Sequence, residues 1–261
     1  MRICLLASGS SGNCAFVAAG GTRVLIDAGI SARRVRRELE ALGERSVDAL
    51  LLTHEHGDHA SEAGRIAVEF GCPVYVSHRT LPWVRPALTG HERVEVFRMG
   101  EDFCIGDLWV KAFRVFHDAA DPCGFLLEGP SERRPGERVR VGFATDLGTV
   151  PASLRGLLRE CEGLVIEANH DLEMLINGPY AWDLKQRIRS PVGHLSNRAA
   201  AELIRELVQR GRLQVAVLAH LSAENNRPER ALETVKAQLD GLFRCRVVVA
   251  PRDRRSEVIA L

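Results

Sequence analysis

The feature that most restricts what this chain can become is the segment His54-Glu55-His56-Gly57-Asp58-His59, set directly behind the apolar run Val47–Thr53. Imidazole and carboxylate are the ligand types of a catalytic zinc- or manganese-class centre. In extended chain His54 and His56 point to the same side. Gly57 permits a turn, so Asp58 and His59 can address a neighbouring point at the start of the next helix. One segment can therefore serve two metals a few ångströms apart. The plainer alternative is a polar strand-to-helix turn with chance histidines. It is weakened by composition, because the whole chain has only 9 histidines and three of them stand here.

Around that segment, β-type runs alternate with turns and helices. Arg2–Ala7, Ala15–Ala18 and Arg23–Asp27 read as strands separated by Ser8–Asn13 and Gly20-Gly21, which makes the opening antiparallel. Ser31–Leu42 and Glu62–Phe70 read as helices. Leu108–Phe116, Gly124–Leu127 and Val139–Phe143 read as strands, with Gly129–Glu137 as a loop of hairpin length. In the second half, strands Gly163–Glu167, Leu213–Ala219 and Arg246–Ala250 alternate with helices Asp171–Ile176, Ala181–Ile188, Asn197–Arg210 and Pro228–Leu239. Two similar halves of this kind predict an α/β protein with helices covering both sides of a β core, in one domain over residues 1–261.

The pattern H-x-H-x-D-H over residues 54–59 resembles the signature of the metallo-β-lactamase-fold hydrolases. Three later residues stand in that family's order, each behind a strand: His117 after Leu108–Phe116, Asp146 after Val139–Phe143, and His220 after Leu213–Ala219. The resemblance implies an αββα sandwich, two mixed sheets between outer helices. It also implies two divalent cations per chain, Zn²⁺ or Mn²⁺. His54, His56 and His117 would hold one, Asp58, His59 and His220 the other, and Asp146 would bridge both. Such a pair lowers the pKa of a shared water and polarises the group attacked, giving hydrolysis without a protein nucleophile. His at position 56 departs from the redox di-iron branch. His at position 59, with no cysteine at a matching strand end, departs from the branches that use a cysteine ligand.

Fold alone does not choose a substrate. Glu167-Ala168-Asn169-His170-Asp171 and Gly193-His194-Leu195-Ser196-Asn197 resemble motifs of the nuclease branch of the fold. That resemblance implies that Glu167 orients His194 and that His194 acts as general acid, so Asp58, Glu167 and His194 are the candidate catalytic residues. Together with Ser8–Cys14, these segments are most similar to the bacterial YycJ/WalJ group, which implies exonuclease action on DNA. Ahead of His194, Lys185 and Arg189 lie four apart on a helix, with Arg187 between them and Trp182 one turn earlier. Cations beside an aromatic suit a phosphate backbone and a stacked base, making Lys185, Arg189 and Trp182 candidate substrate contacts. On composition alone the same helix is a solvated basic face. Asp27 reads as a carboxylate supporting the metal ligands or fixing a turn. The clusters Arg33–Arg37 and Arg252–Arg255 read as solvated surface.

Composition narrows the classes further. Lys+Arg number 35 against 34 Asp+Glu, so any nucleic-acid binding must come from a local patch rather than bulk charge. The 7 cysteines are odd in number and scattered, which argues against a disulfide framework. No apolar run reaches the roughly 18–20 residues of a membrane helix, and the chain reads as a cytoplasmic protein with no membrane partner. Two other readings share this sequence. One is a hydrolase of a small thioester, lactone or lactam using the same metals. The other is a scaffold that keeps the fold without turnover.

Overall fold

Alternation within the strands decides the layering. In the first strand Ile3 and Leu5 enter one core while Cys4 and Leu6 enter another, the period of two expected of a strand buried on both faces. The computed structural model describes residues 1–239 and 245–261. Its strands are β1 Arg2–Ala7, β2 Cys14–Ala19, β3 Thr22–Ile26, β4 Ala49–Leu51, β5 Val74–Ser77, β6 Val94–Phe97, β7 Asp102–Ile105, β8 Leu108–Arg114, β9 Cys123–Pro130, β10 Arg138–Ala144, β11 Gly163–Glu167, β12 Val215–Ala219, β13 Arg246–Val249 and β14 Ile259–Ala260. The helices are α1 Ala32–Ala41, α2 Gly57–Ala60, α3 Ala63–Phe70, α4 Leu81–Val84, α5 Ala152–Leu158, α6 Leu172–Asn177, α7 Trp182–Arg189, α8 Asn197–Arg210 and α9 Pro228–Gln238.

The strands form two mixed sheets, ordered β14-β1-β2-β3-β4-β5-β6 and β13-β12-β11-β10-β9-β8-β7. In the first, β3 to β6 run parallel. In the second, β10 to β13 run parallel. Val17, Val24, Ile26 and Leu51 of one sheet meet Val110, Phe125, Val141 and Val217 of the other in the central core. The outer face of the first sheet packs Leu25, Leu50 and Leu52 against Val35 and Leu39 of α1 and Ile66 of α3. The outer face of the second packs Leu164, Ile166 and Leu218 against Leu203, Ile204 and Leu207 of α8 and Val235 of α9. Each fully buried leucine of this kind contributes about 1.5–3 kcal/mol. The result is the αββα sandwich. No helix among the described residues is long and apolar enough to cross a membrane.

Local starts and stops follow side-chain chemistry. Ser31 accepts from the Arg34 N–H, Asp171 from Met174 and Ser196 from Ala199, capping α1, α6 and α8. Only part of the apolar run Val47–Thr53 is strand. The ladder covers Ala49–Leu51, because the Thr53 N–H leaves the sheet to donate to the Asp27 carboxylate at 2.9 Å. Residues 131–137 join the antiparallel pair β9–β10 as a hairpin, so the loop read at Gly129–Glu137 begins two residues late in the structure, Gly129 and Pro130 still pairing within β9. The edge strand β14, only two residues long, gave no periodic signal.

Candidate metal centre

The parallel strands end on the residues that carry the chemistry, the usual position of a site in an open α/β sheet. Asp27 follows β3, His54 follows β4, Asp146 follows β10, Glu167 closes β11 and His220 follows β12. Three of these hold a left-handed backbone without being glycine: Asp27 at φ 65°, Asp146 at φ 56° and His220 at φ 54°. Such corners are costly and cluster at functional sites. Here each swings a side chain back across the strand end.

The structure brings all seven sequence-predicted donors into one cluster drawn from both sheets. Donor atoms of His54, His56 and His117 lie within 4.8 Å of one another, as do those of Asp58, His59 and His220, and those of His54, His59 and Asp146. Asp146 Oδ2 is 3.2 Å from His59 Nε2, and its Oδ1 is 3.9 Å from His117 Nε2. Asp146 therefore stands between the two histidine sets. Asp58 Oδ2 lies 3.6 Å from Nε2 of both His59 and His220.

Neighbouring groups fix the ring orientations, as they do around metal-binding histidines generally. His59 Nδ1 meets Asp27 Oδ2 at 2.7 Å, and His54 Nδ1 meets Thr53 Oγ1 at 2.9 Å. The Thr53 hydroxyl is in turn within 2.9 Å of Asp27 Oδ1. His117 Nδ1 donates to the Gly193 carbonyl at 3.1 Å, and His220 Nδ1 to Glu167 Oε1 at 2.8 Å. Asn13 ties the Ser8–Asn13 turn to the cluster, its Nδ2 lying 2.9 Å from His59 Nε2 and 3.3 Å from Asp58 Oδ2. Gly29 allows the approach. A Cβ there would fall 1.7 Å from the Asp58 carbonyl oxygen.

The electrostatics fit a cation. Burial would raise the carboxyls of Asp146 and Glu167, but the imidazoles outweigh it. His220 and His59 hold Asp146 well below the carboxylate range, and His194 with His220 brings Glu167 down to about 2. Conversely His220 rises to about 10, because Asp146, Asp58 and Glu167 override its burial. His54 goes the other way, pushed well below its ordinary value by burial and then by the charge of His59. Protons thus collect where carboxylates converge, and a divalent cation would meet the same field. Two atoms at that point, Asp146 Oδ2 and His220 Nε2, are buried and make no well-formed hydrogen bond, their nearest polar neighbours being other members of the cluster, His59 and Asp58. A buried polar atom left unpaired is expensive. The nitrogen and oxygen donors suit ions of the zinc and manganese class.

Beside the cluster opens a cleft of about 280 Å³. His194, half-buried, faces it with Nδ1 2.8 Å from Glu167 Oε1. Helix α7 also lines the cleft, but not with the residues the sequence singled out. Lys185 is buried, and its Nζ donates to the carbonyls of Ile176 at 2.8 Å and Gly178 at 2.7 Å, clipping the end of α6. Its assignment as a substrate contact is corrected on that ground: the ammonium is already used inside the fold. Trp182 and Arg189 are exposed but outside the cleft lining, which α7 supplies through Leu184, Arg187 and Ile188. At about 100° per residue, Arg189 is some 140° around the helix from Leu184. The residues that the sequence singled out on α7 therefore lie on a different face from those that line the cleft. Asp118, which carries no sequence signal beyond its place directly after His117, also lines the cleft.

The double-sheet sandwich with histidines and aspartates clustered at its strand ends, together with the relatives it matches, makes the chain a metal-dependent hydrolase, and it belongs to the metallo-β-lactamase superfamily. Residues 22–221 match the family model described as the β-lactamase superfamily domain. Its similarity to exodeoxyribonuclease WalJ of Streptococcus pneumoniae is 36% identity over 244 residues, 90% of this chain and 87% of that protein. To exodeoxyribonuclease YycJ of Bacillus anthracis it is 32% over 246 residues, 92% and 89% of the two chains. The metallo-β-lactamase fold protein YhfI from Bacillus subtilis superposes with a TM-score of 0.70 at 15% identity, over 98% of this chain and 99% of that one; at that identity the likeness concerns the fold alone.

Proposed function

We propose that this chain is a two-metal phosphodiesterase that shortens DNA from an end. The observation that carries the reading is the similarity along about nine-tenths of the chain to two proteins named exodeoxyribonucleases. Residues 1–261 would act as a single catalytic domain.

His54, His56 and His117 would hold one cation, Asp58, His59 and His220 the other, with Asp146 shared. Bound there, Zn²⁺ or Mn²⁺ would supply Lewis-acid polarisation of a phosphoryl oxygen and a water acidic enough to ionise near neutral pH. The remaining chemistry belongs to the protein. Glu167 keeps His194 in one tautomer, with the proton on Nδ1 directed at the carboxylate and Nε2 left for the cleft. A proton on that Nε2 would pass to the leaving oxygen as the bond breaks. Glu167 also raises the affinity of His194 for that proton, against the effect of burial. The buried side of the cluster, with His54, His59 and Asp146 almost fully covered, excludes bulk water from one face of the reaction.

The test is degradation of end-labelled double-stranded DNA by metal-free protein reloaded with Mn²⁺ or Zn²⁺, with Asp146→Ala as control. Metal-dependent shortening that the control lacks is the expected result. Silence on DNA and RNA, beside turnover of a thioester or lactone, would overturn it.

A further inference from the structure

Metal binding and proton donation leave one wall of the cleft without a role. Tyr180, Leu184, Arg187 and Ile188 line it. Arg187 is the one arginine or lysine among the described residues lining that cleft. Its Nε donates to Asp118 Oδ2 at 2.7 Å. The other oxygen of the same carboxylate, Oδ1, lies 3.3 Å from His117 Nε2. The guanidinium therefore waits on a carboxylate that itself reaches the donor cluster. With its side chain 64% exposed, this ion pair is of the weak, readily exchanged kind.

The backbone under Arg187 is not free to drift. A Cβ on Gly193 would fall 2.2 Å from the Arg187 carbonyl oxygen and 2.3 Å from that of Ile188. The next residue, His194, donates its N–H to the Ile188 carbonyl at 2.8 Å. Arg187 and His194 thus share one rigid corner, and an anion held by the guanidinium would sit at a fixed offset from the imidazole. Guanidinium suits phosphate because its planar fork matches the oxygens and cannot lose its charge. Tyr180 and Leu184 beside it offer an aromatic and an apolar surface of the kind on which a base stacks.

We infer that Arg187 binds a backbone phosphate next to the bond that is cut, exchanging Asp118 for it, and that Asp118 is the placeholder holding the guanidinium ready. This rests on the nuclease reading. It moves the substrate contact of α7 from Lys185 and Arg189 to the face the cleft exposes.

The experiment compares wild type, Arg187→Ala, Arg187→Lys and Asp118→Asn in two measurements. One is the affinity of the metal-free protein, in chelator, for a fluorescein-labelled single-stranded oligonucleotide across a range of salt. The other is KM and kcat of the metal-loaded protein on the same strand. Arg187→Ala should weaken binding and raise KM by about tenfold to a hundredfold, with kcat little changed. Its plot of log affinity against log salt should lose about 0.7 in slope, one phosphate's worth. Lysine should restore that slope but only part of the affinity. Asp118→Asn should bind more tightly than wild type in the metal-free measurement, since no carboxylate competes. Thermal melts verify folding, and the lysine variant separates charge from any packing effect. A wild type that cleaves DNA while Arg187→Ala keeps its KM, affinity and salt slope overturns the phosphate contact alone. Unchanged affinity in Asp118→Asn overturns the placeholder. A wild type that neither binds nor cleaves DNA overturns the nuclease reading, and this inference with it.

Discussion

A single oxygen of Glu167 holds two histidines: Oε1 lies 2.8 Å from Nδ1 of His194 and 2.8 Å from Nδ1 of His220. The other oxygen accepts the backbone N–H groups of Leu147 at 3.0 Å and Leu195 at 3.1 Å. Every partner is a donor, so Glu167→Gln must turn its amide N–H₂ toward one pair or the other. The variant should lose about 1–3 kcal/mol of stability and at least tenfold in turnover. Denaturant midpoints and kcat measured together check this, and a variant equal to wild type in both would refute the arrangement.

His194 and His54 should separate cleanly. His194→Ala is expected to keep its bound metal while turnover falls by about 10²–10⁴, whereas His54→Ala should lose metal as well as activity. Elemental analysis of the purified proteins decides between them. Metal loss in His194→Ala would make that residue a ligand instead of a proton donor.

Chelation gives a readout independent of any substrate. Adding Zn²⁺ or Mn²⁺ to metal-free protein at a hundred times its dissociation constant should stabilise the fold by about 2.7 kcal/mol. Asp146→Ala, which removes the carboxylate shared between the histidine sets, should show a much smaller rise in melting temperature. An equal rise would place the ion elsewhere.

Lys185 serves as the negative control for α7. Lys185→Met leaves the carbonyls of Ile176 and Gly178 without their donor, so melting should drop by the equivalent of about 1–3 kcal/mol. The salt dependence of nucleic-acid binding should stay as in wild type. A stable variant with a reduced salt slope would return Lys185 to the substrate.

The acid limb of stability has a defined contributor in Glu44, which accepts from Arg2 at 2.7 Å and Arg23 at 2.9 Å. Burial alone would raise its carboxyl, but the hydrogen bonds and charges of Arg23 and Arg2 hold it below its ordinary value, which is about 4.3 in an unfolded chain. The folded group is the stronger acid. Its contribution is therefore complete above the unfolded pKa and disappears as pH falls through the folded one. Glu44→Gln should lower the denaturant midpoint at pH 7 and flatten the loss between about pH 5 and 3. A variant that tracks wild type at every pH would remove Glu44 from the account.

Much of this could be read from the chain because the donors sit where local signals are strong. His54 to His59 share one strand-to-helix turn, and His117, Asp146 and His220 each follow a run whose pattern reads as a strand. The helix α7 was legible as a helix, but not its rotation, which depends on what its neighbours present. Lys185 looks like a surface cation until α6 ends beside it with free carbonyls. Asp118 and Asn13 belong to no periodic pattern, so their roles appear only when the two sheets come together. Thr53 was invisible for the same reason, since its hydroxyl matters only because Asp27 folds back from another strand.

The left-handed corners at Asp27, Asp146 and His220 set the demands of activity against those of durability. Glycine would relax the backbone at each of them, so a search that rewarded only resistance to heat would be drawn toward glycine at these positions and would discard a carboxylate or an imidazole with every step. Variants selected for robustness alone should therefore go silent before they unfold.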